Sequence, residues 1–168
     1  IGKSALDFDG IDDYVDCGSD SSIEITGALT LEAWIKTSDT AANQRIIGRD
    51  DATSRDYALT TMTTSGLVRM VVFKSDAESN IDSSTNVCDG KWHHVAVVFT
   101  PSTSLEIYVD GKLEGKNTTN IPATIDNDTE QLWMGARGDG ALWFDGLMGR
   151  ASVWDAALTA AQIRTMMF

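Results

Sequence analysis

The chain has 168 residues, and its 13 basic and 25 acidic side chains give a formal net charge of −12. This length supports one buried core, so we expect a single domain over residues 1–168. The negative charge repels phosphate backbones and argues against a nucleic-acid partner, and no apolar run is long enough for membrane insertion. The acidity itself indicates either simple solubility or the binding of a cation such as Ca²⁺, which prefers carboxylate and carbonyl oxygens.

The first structural signal is an aspartate-rich bend within residues 4–17, SALDFDGIDDYVDC. Apolar residues on both sides of Asp9-Gly10 predict two short strands, or one bent strand, broken at this dipeptide. Four aspartates crowd the bend: Asp7, Asp9, Asp12 and Asp13. They are either good turn residues or part of a Ca²⁺ site that needs further ligands. The segment lacks the closing Glu of an EF-hand loop.

Strand signals and a charged segment follow the bend. The alternation in residues 29–36, LTLEAWIK, predicts a strand. A short strand begins at Ile46-Ile47, and the segment after it concentrates charge before a strand predicted at 57–62. This segment is either a solvated loop with weak ion pairs or a recognition loop held by rigid strands. Another strand is predicted at 67–74, and the polar residues 75–86 are predicted to be a connection.

Residues 92–116, WHHVAVVFTPSTSLEIYVDGKLEGK, contain three consecutive strand signals. The first is apolar at nearly every position, which indicates that both of its faces are covered. The second alternates apolar and polar residues, so one of its faces meets water or a ligand. Asp110-Gly111 is typical of a type I′ turn, because both central residues of that turn need positive φ. The stretch predicts an antiparallel meander.

The last quarter of the chain contains two strand signals and one helix signal. Strands are predicted at 132–134 and 147–154, on either side of a segment rich in Gly and Asp. Thr159 and Gln162 form a capping-box pattern that opens a short helix. We expect this helix to carry Ile163, Met166 and Met167 against the core. Arg-Gly-Asp at 137–139 resembles an adhesion tripeptide, but three residues match by chance too often to count alone.

Cys17 and Cys88 are the two cysteines, and they lie far apart in the sequence. Their spacing matches no zinc-binding pattern. They either form a bridge between neighbouring strands or are separate small residues in the core.

Five segments resemble, in order, those of concanavalin A-like, laminin G-type jelly-roll domains, including pentraxin-like modules. They are LDFDGIDDYVDCG, LTLEAWIK, KWHHVAVVF, LEIYVDGKLEG and WFDGLMGRASVWDAALTAAQI. The resemblance implies an all-β fold, an antiparallel two-sheet jelly-roll sandwich, here with a short C-terminal helix. It covers nearly the whole chain and is more specific for fold than for function.

The resemblance also implies a structural Ca²⁺. In this family the first and last strands lie together in one sheet, and many members hold a calcium ion at the rim between such turns. The turn Phe144-Asp145-Gly146 is then expected to approach Phe8-Asp9-Gly10. The expected metal ligands are Asp9, Gly10 through its carbonyl, Asp12 and Asp145.

A ligand-binding rim is a further implication of the resemblance. Pentraxin-like relatives bind ligand through calcium between an acidic loop and a later loop, which match Arg55-Asp56-Tyr57 and Arg137-Gly138-Asp139 here. The neighbouring Glu and Gln of the pentraxin pattern are absent, so we expect hydrogen bonding and stacking on a sugar rather than a two-calcium site. The expected ligand-binding residues are Arg55, Asp56, Tyr57, Arg137, Asp139 and Trp143.

The function expected from these observations is a non-catalytic, lectin-like carbohydrate-binding module stabilised by Ca²⁺. Its partner would be a glycan or a cell-surface ligand, in a larger extracellular or virion protein; the chain starts at Ile, as a secreted, processed product would. A protein-adhesion or structural laminin G-type domain is the alternative. A glycoside hydrolase or lyase is less favoured, because no strand carries the paired carboxylates of such enzymes. The histidines His93 and His94 begin an apolar strand, where a structural role is the simpler interpretation.

Overall fold

The computed structural model describes residues 4–40 and 43–168. In this part the chain forms twelve β-strands and one α-helix, α1 (Ala160–Met166). The strands are β1 (Leu6–Asp9), β2 (Val15–Asp16), β3 (Leu29–Lys36), β4 (Arg45–Asp50), β5 (Arg55–Thr61), β6 (Val68–Lys74), β7 (Ala77–Asp82), β8 (His93–Thr100), β9 (Ser104–Val109), β10 (Lys112–Asn117), β11 (Trp133–Met134) and β12 (Asp145–Trp154).

The described strands form two six-stranded antiparallel sheets, which confirms the predicted jelly-roll sandwich. The first sheet has the strand order β1-β12-β3-β8-β9-β10, and the second has the order β2-β11-β4-β5-β6-β7. In the first sheet β1 pairs with β12, and Asp9 lies opposite Asp145. The two ends of the fold are therefore neighbours, as the resemblance implied.

The hydrophobic core lies between the two sheets. Leu31 and Val97 of the first sheet belong to the same buried cluster as Leu59, Met70 and Val72 of the second. Each of these side chains is fully buried, and burial of one such side chain contributes roughly 1.5–3 kcal/mol. Alternation along the strands directs these residues inward and leaves the outer face of each sheet for other roles.

The meander is confirmed in β8, β9 and β10. All of β8 except its two end residues is buried, which agrees with a strand covered on both faces. Asp110 and Gly111 connect β9 to β10 with φ values of 49° and 73°. Both values are positive, as a type I′ turn requires.

Two segments differ from the sequence prediction. Residues 77–82 were expected to be a connection, but they form β7, which pairs along its whole length with β6. Its polar side chains are typical of an edge strand, where they discourage pairing with another chain. The other difference is the start of β5 at Arg55, two residues earlier than expected.

The C-terminal helix forms with the predicted cap. The Thr159 side chain accepts a hydrogen bond from Gln162 N, and the Gln162 side chain accepts one from Thr159 N. Ile163 is fully buried against Ala96 and Val98. This contact is on the outer face of the first sheet and not in the central core. The prediction that the helix packs against the core is therefore corrected. No helix in the described ranges is both long and apolar enough to span a membrane.

Both cysteines are free thiols. Cys17 is exposed and Cys88 is buried, so the bridge is excluded and the two residues lie in different environments. Burial raises the pKa of the Cys88 thiol to about 11.

Candidate functional site

The outer face of the second sheet carries a groove of about 260 Å³. Among the described residues, four arginines line it: Arg45, Arg55, Arg69 and Arg137. We call this surface the arginine groove and define it by these four residues together with Asp50, Val71 and Phe73. It collects four of the chain's 13 basic residues in one cavity of a protein whose net charge is −12.

A β-bulge in β4 directs Arg45 to the groove. Arg45 pairs with Thr60, but the next paired residue of β4 is Ile47, opposite Leu59. Ile46 is therefore an extra residue in this strand. Strict alternation would put Arg45 on the inner face with Ile47, and the extra residue moves it to the outer face.

A second β-bulge, in β5, does the same for Arg55. Arg49 pairs with Tyr57, whereas Asp50 pairs with Arg55, so Asp56 is the extra residue. Tyr57 faces the core, and strict alternation would place Arg55 on that face as well. The bulge instead leaves Arg55 beside Asp50 on the outer face.

Three of the four arginines are held by neighbouring carboxylates. Arg45 Nη2 lies 2.5 Å from Asp50 Oδ2, and Arg45 Nε donates to both oxygens of the same carboxylate at 3.1 Å. Arg69 donates two hydrogen bonds to Asp82, at 2.6 and 2.8 Å. Paired N–H···O contacts of this kind fix a guanidinium in orientation as well as position. The guanidinium groups of Arg45 and Arg69 are therefore held in fixed positions before a ligand binds.

Arg55 is different, because among the described residues its guanidinium has no carboxylate within ion-pair distance. The group lies over the ring of Phe73, with Arg55 Cζ 5.5 Å from the ring centroid. A cation–π contact of this kind contributes about 0.5–1 kcal/mol at an exposed site. Phe73, Val71 and Ala58 form a buried cluster on this face. Arg55 is thus held by an apolar floor and keeps its N–H donors for a ligand.

Two aspartates near the groove have opposite electrostatic environments. Burial raises the pKa of Asp50, although Arg45 acts in the other direction. The pKa of Asp51 is lowered, because its carboxylate accepts the backbone N–H groups of Ser54 and Thr53. Asp50 forms part of a wall, whereas Asp51 organises the turn between β4 and β5.

Asp56 and Tyr57, expected in the ligand-binding rim, lie inside the sandwich. Both side chains are fully buried. Asp56 Oδ2 is 2.5 Å from Arg49 Nη1, and its other oxygen accepts the Asp128 backbone N–H at 3.0 Å. Neither side chain can contact a ligand, so the prediction that Asp56 and Tyr57 are ligand-binding residues is wrong.

Arg137 and Asp139 are paired with each other across the tip of a hairpin. Arg137 donates to the two oxygens of Asp139 at 2.8 and 2.7 Å. Arg137 also lines the arginine groove, next to Leu142. The two charged side chains of the Arg-Gly-Asp tripeptide are therefore already paired with each other.

Trp143 belongs to a surface group of three aromatic residues. Tyr14 stacks on Trp133 with the ring centroids 4.2 Å apart and an interplanar angle of 14°. Tyr14 also lies 6.1 Å from Trp143, measured between centroids. We call Tyr14, Trp133 and Trp143 the aromatic patch. Tyr14 is 48% exposed, so this patch meets solvent.

The aspartate-rich bend brings together side chains from both ends of the chain. One carboxylate oxygen from each of Asp9, Asp12 and Asp13 lies within 4.8 Å of the others, and all three residues are exposed. Asp9 lies opposite Asp145 in the sheet. A Cβ at Gly10 would come within 2.9 Å of Asp145 Cβ, so the side chain of Asp145 starts directly beside Gly10. Of the expected metal ligands, Asp9 and Asp12 thus lie together with Asp13. Asp145 lies beside Gly10, but its carboxylate is not one of this group.

Glu32 and the two histidines lie on the first sheet, away from the arginine groove. His94 Nε2 is 2.8 Å from Glu32 Oε2, and both side chains are buried. His93 contacts the carboxylates of Asp110 and Asp89 at 2.9 and 3.2 Å. The prediction that these are hydrogen-bonded strand histidines is confirmed.

Sequence reasoning missed Arg45, Arg69 and the aromatic pair Tyr14 and Trp133. Arg69 stands out as the one charged residue among residues 67–73, LVRMVVF, which is a usable signal for an outer face. For Arg45 the signal is misleading, because a regular strand would bury it. The stacking of Tyr14 on Trp133 joins residues more than 100 positions apart and depends on the pairing of β2 with β11.

A family model described as the concanavalin A-like lectin/glucanases superfamily matches residues 9–164. No curated protein gave a match. Solved structures did match over nearly the full length. The CBM40 domain of the Ruminococcus gnavus IT-sialidase, bound to α2,3-sialyllactose, is 17% identical with a TM-score of 0.78. That match covers 98% of this chain and 96% of the other.

Two further similar structures are of longer chains, of which this protein matches less than half. A putative carbohydrate-binding protein from Bacteroides ovatus is 18% identical with a TM-score of 0.72, covering 95% of this chain and 47% of the other. Domains LG4-5 of the mouse laminin α1 chain are 17% identical with a TM-score of 0.71, covering 95% of this chain and 44% of the other. At these identities the structures support a shared fold.

Proposed function

Since the chain belongs to the concanavalin A-like lectin/glucanases superfamily, we propose that it is a non-catalytic carbohydrate-binding module whose ligand lies in the arginine groove. The observation that carries the proposal is Arg55, an exposed arginine over an apolar floor with no carboxylate partner among the described residues. A guanidinium held in this way binds a ligand carboxylate in bidentate fashion. The ligand we propose is therefore a glycan with an acidic sugar.

The surroundings of Arg55 support this choice of ligand. Arg45, Arg69 and Arg137 bring further guanidinium groups to the groove, and each is held in a fixed position by the aspartate with which it is paired. The R. gnavus CBM40 domain, which shares the fold, was solved with sialyllactose, a sugar that carries a carboxylate. Val71 and Phe73 line the groove and form the apolar floor that holds Arg55 in place.

The carboxylates near the groove support a binding role over a catalytic one. Glycoside hydrolysis needs two carboxyl groups free to act on the bond between them. Asp50 has both oxygens bonded to Arg45. Asp51 accepts N–H groups from Thr53 and Ser54. We therefore propose that the protein binds its glycan unchanged, and incubation with sialyllactose should release no free sugar.

A glycan array that includes sialylated, uronic-acid and neutral oligosaccharides tests the proposed function. We expect binding to acidic glycans, and Arg55→Ala should weaken it about 10- to 100-fold, since a hydrogen bond to a charged group is worth about 1.5–3 kcal/mol. Arg164→Ala is the matched control, because Arg164 is an exposed arginine on α1. Binding to neutral glycans alone, or an Arg55→Ala variant as active as the control, contradicts the proposal.

We further propose that a structural Ca²⁺ joins the two ends of the fold. Carboxylates are ligands that Ca²⁺ prefers, and the clustered oxygens of Asp9, Asp12 and Asp13 fit that donor set. The additional ligands in this proposal are the Gly10 carbonyl from the same bend and Asp145 from the adjacent turn. A cation here would also relieve the repulsion among carboxylates held this close.

Thermal melting in Ca²⁺ and in EDTA tests the metal site. A ligand bound only by the folded state stabilises it by about 2.7 kcal/mol at a concentration of 100 times its Kd. We expect Ca²⁺ to raise the melting temperature of the wild type and to do so less for Asp12→Asn. Asp155→Asn, an exposed aspartate elsewhere, is the control. Equal melting temperatures in Ca²⁺ and EDTA remove the site from the proposal.

We place this module outside the cell, in a larger secreted or virion protein, because acidic glycans are displayed on cell surfaces. The adhesion alternative has less support. Its only sequence motif, Arg-Gly-Asp, has its charged groups bonded to each other, so neither is available to a protein partner without breaking that pair.

A further inference from the structure

We propose that the aromatic patch, Tyr14, Trp133 and Trp143, is a second sugar subsite that extends the arginine groove and takes a neutral pyranose ring. The acidic ring of the same oligosaccharide lies at Arg55. This inference rests on the proposed function and adds to it the size of the ligand, which must contain at least two linked sugars.

The patch has the form of a stacking platform. Tyr14 and Trp133 lie face to face at 4.2 Å with an angle of 14°, so each ring holds the other in one orientation. Tyr14 is nearly half exposed, so part of its ring is open to a partner. Aromatic rings present a large, rigid, apolar surface with a polar tip, which suits the C–H face of a pyranose.

The patch and the groove are parts of one surface. Trp133 is paired with Gly48 of β4, and a Cβ at Gly48 would meet Asp50 Oδ1 at 2.6 Å and Arg45 Cδ at 3.5 Å. Because paired residues point to the same side of a sheet, Trp133 emerges on the face that carries the Arg45–Asp50 pair. That pair lies between Trp133 and Arg55, so the surface is continuous.

The hairpin at residues 137–141, which borders the groove, also contacts the patch. Trp143 follows Leu142, a lining residue of the groove. A Cβ at Gly140 would lie 3.6 Å from the indole of Trp143. The hairpin at 137–141 therefore contributes Arg137 to the groove and supports Trp143 in the patch.

The separation of the two subsites matches an oligosaccharide. From the position of Arg55 on β5 to that of Trp133 on β11 there are two strand spacings and an offset of two residues. With about 4.8 Å per strand and about 3.3 Å per residue, this amounts to roughly 12 Å. One sugar ring does not span that distance, whereas a chain of linked rings does.

Charge indicates that the ring on the patch is neutral. Asp16 is the residue paired with Trp133 on the other side, it is exposed, and its carboxylate shares the face of the indole. This carboxylate repels an acidic sugar and accepts hydrogen bonds from sugar hydroxyls, so the two subsites have opposite preferences.

Titration calorimetry with two probes, α2,3-sialyllactose and free sialic acid, tests the inference. The wild type should bind the trisaccharide more tightly than the single sugar. Tyr14→Ala should weaken trisaccharide binding about 2- to 10-fold, since aromatic contacts contribute about 0.5–1.5 kcal/mol beyond burial, and should leave binding of free sialic acid unchanged. The control is Trp154→Ala, an aromatic residue of similar exposure on the other sheet, which should alter neither affinity.

The outcomes separate this inference from the function on which it rests. Equal wild-type affinity for the two probes overturns the second subsite and leaves the arginine groove. An equal loss for both probes in Tyr14→Ala overturns it as well, because the residue would then act on the fold and not on one ring. A wild type that binds neither probe overturns this inference, while the glycan array decides the proposed function separately.

Discussion

Arg49 and Asp56 are the residues whose environment departs most from what their side chains prefer. Arg49 is completely buried. It donates to Asp56 Oδ2, to Asn127 Oδ1 at 2.7 Å and to the Asp128 and Glu130 carbonyl oxygens at 2.8 and 2.9 Å. Burying a charge is costly unless it is paired and hydrogen-bonded. This arginine meets both conditions, and in doing so it anchors residues 127–130 to the bulged strand β5.

Replacing Asp56 should therefore be strongly destabilising. Asp56→Asn removes the buried counterion of Arg49 and leaves it only the exposed Glu24 carboxylate, 3.8 Å away. Breaking a buried pair of this kind costs about 3–5 kcal/mol. Urea unfolding at pH 7 measures the effect. The control is Asp82→Asn, which removes the partner of Arg69 at the surface and should cost at most about 1 kcal/mol. Similar losses in the two variants would mean that the buried pair contributes no more than an exposed one.

Strands and their irregularities determine what each sheet face presents. The bulges at Ile46 and Asp56 act on β4 and β5, the two central strands that supply Arg45 and Arg55. Bulges often lie next to functional sites, where they redirect a side chain. On the other sheet α1 covers part of the outer face, because Ile163 packs on Ala96 and Val98. The outer face of one sheet is thus partly covered by a helix, and the other carries the arginine groove.

The cap of α1 should matter for this covering. Thr159→Ala removes the hydrogen bond from Gln162 N and half of the capping box, which typically costs about 1 kcal/mol. Thr165→Ala, at an exposed position within the same helix, should cost less, because alanine is the better helix former. Thermal melting compares the two. Equal losses would show that the cap has no special role.

At the scale of the whole molecule, the chain closes on itself. β12 pairs with β1 on one side and with β3 on the other, so the last strand joins the first strand to the rest of the sheet. The buried cluster between the sheets includes Phe8 near the start and Met148 near the end. The two smaller buried clusters, one with Ile163 and one with Phe73, lie on the outer faces of the same two sheets.

We therefore propose that residues 1–168 behave as one domain and unfold in one step. Far-UV circular dichroism reports the sheets, and tryptophan fluorescence reports several positions, including Trp34 on the first sheet and Trp133 on the second. In a cooperative transition the two signals change together. Transitions with separate midpoints would indicate that the sheets, or the chain ends, unfold independently.

The fold was predictable in most of its parts, and the candidate site in fewer. Period-two patterns located β3, β6, β8 and β9, and the capping box located α1, because these signals are local. The polar edge strand β7 escaped prediction, since an edge strand need not alternate. Arg55 and Arg137 were predicted as ligand-binding residues and line the arginine groove, whereas Asp56 and Tyr57 are buried.

By itself the sequence determined the strands, the Asp110-Gly111 turn, the helix cap and, through resemblance, the sandwich that brings Asp9 opposite Asp145. Only the tertiary structure decided which side chains share a surface. A single extra residue in a strand reverses the face of every residue beyond it, and the pairing of β4 with β5 reveals where such residues lie. The arginine groove exists because two such bulges turn Arg45 and Arg55 outward while Arg49 stays inside.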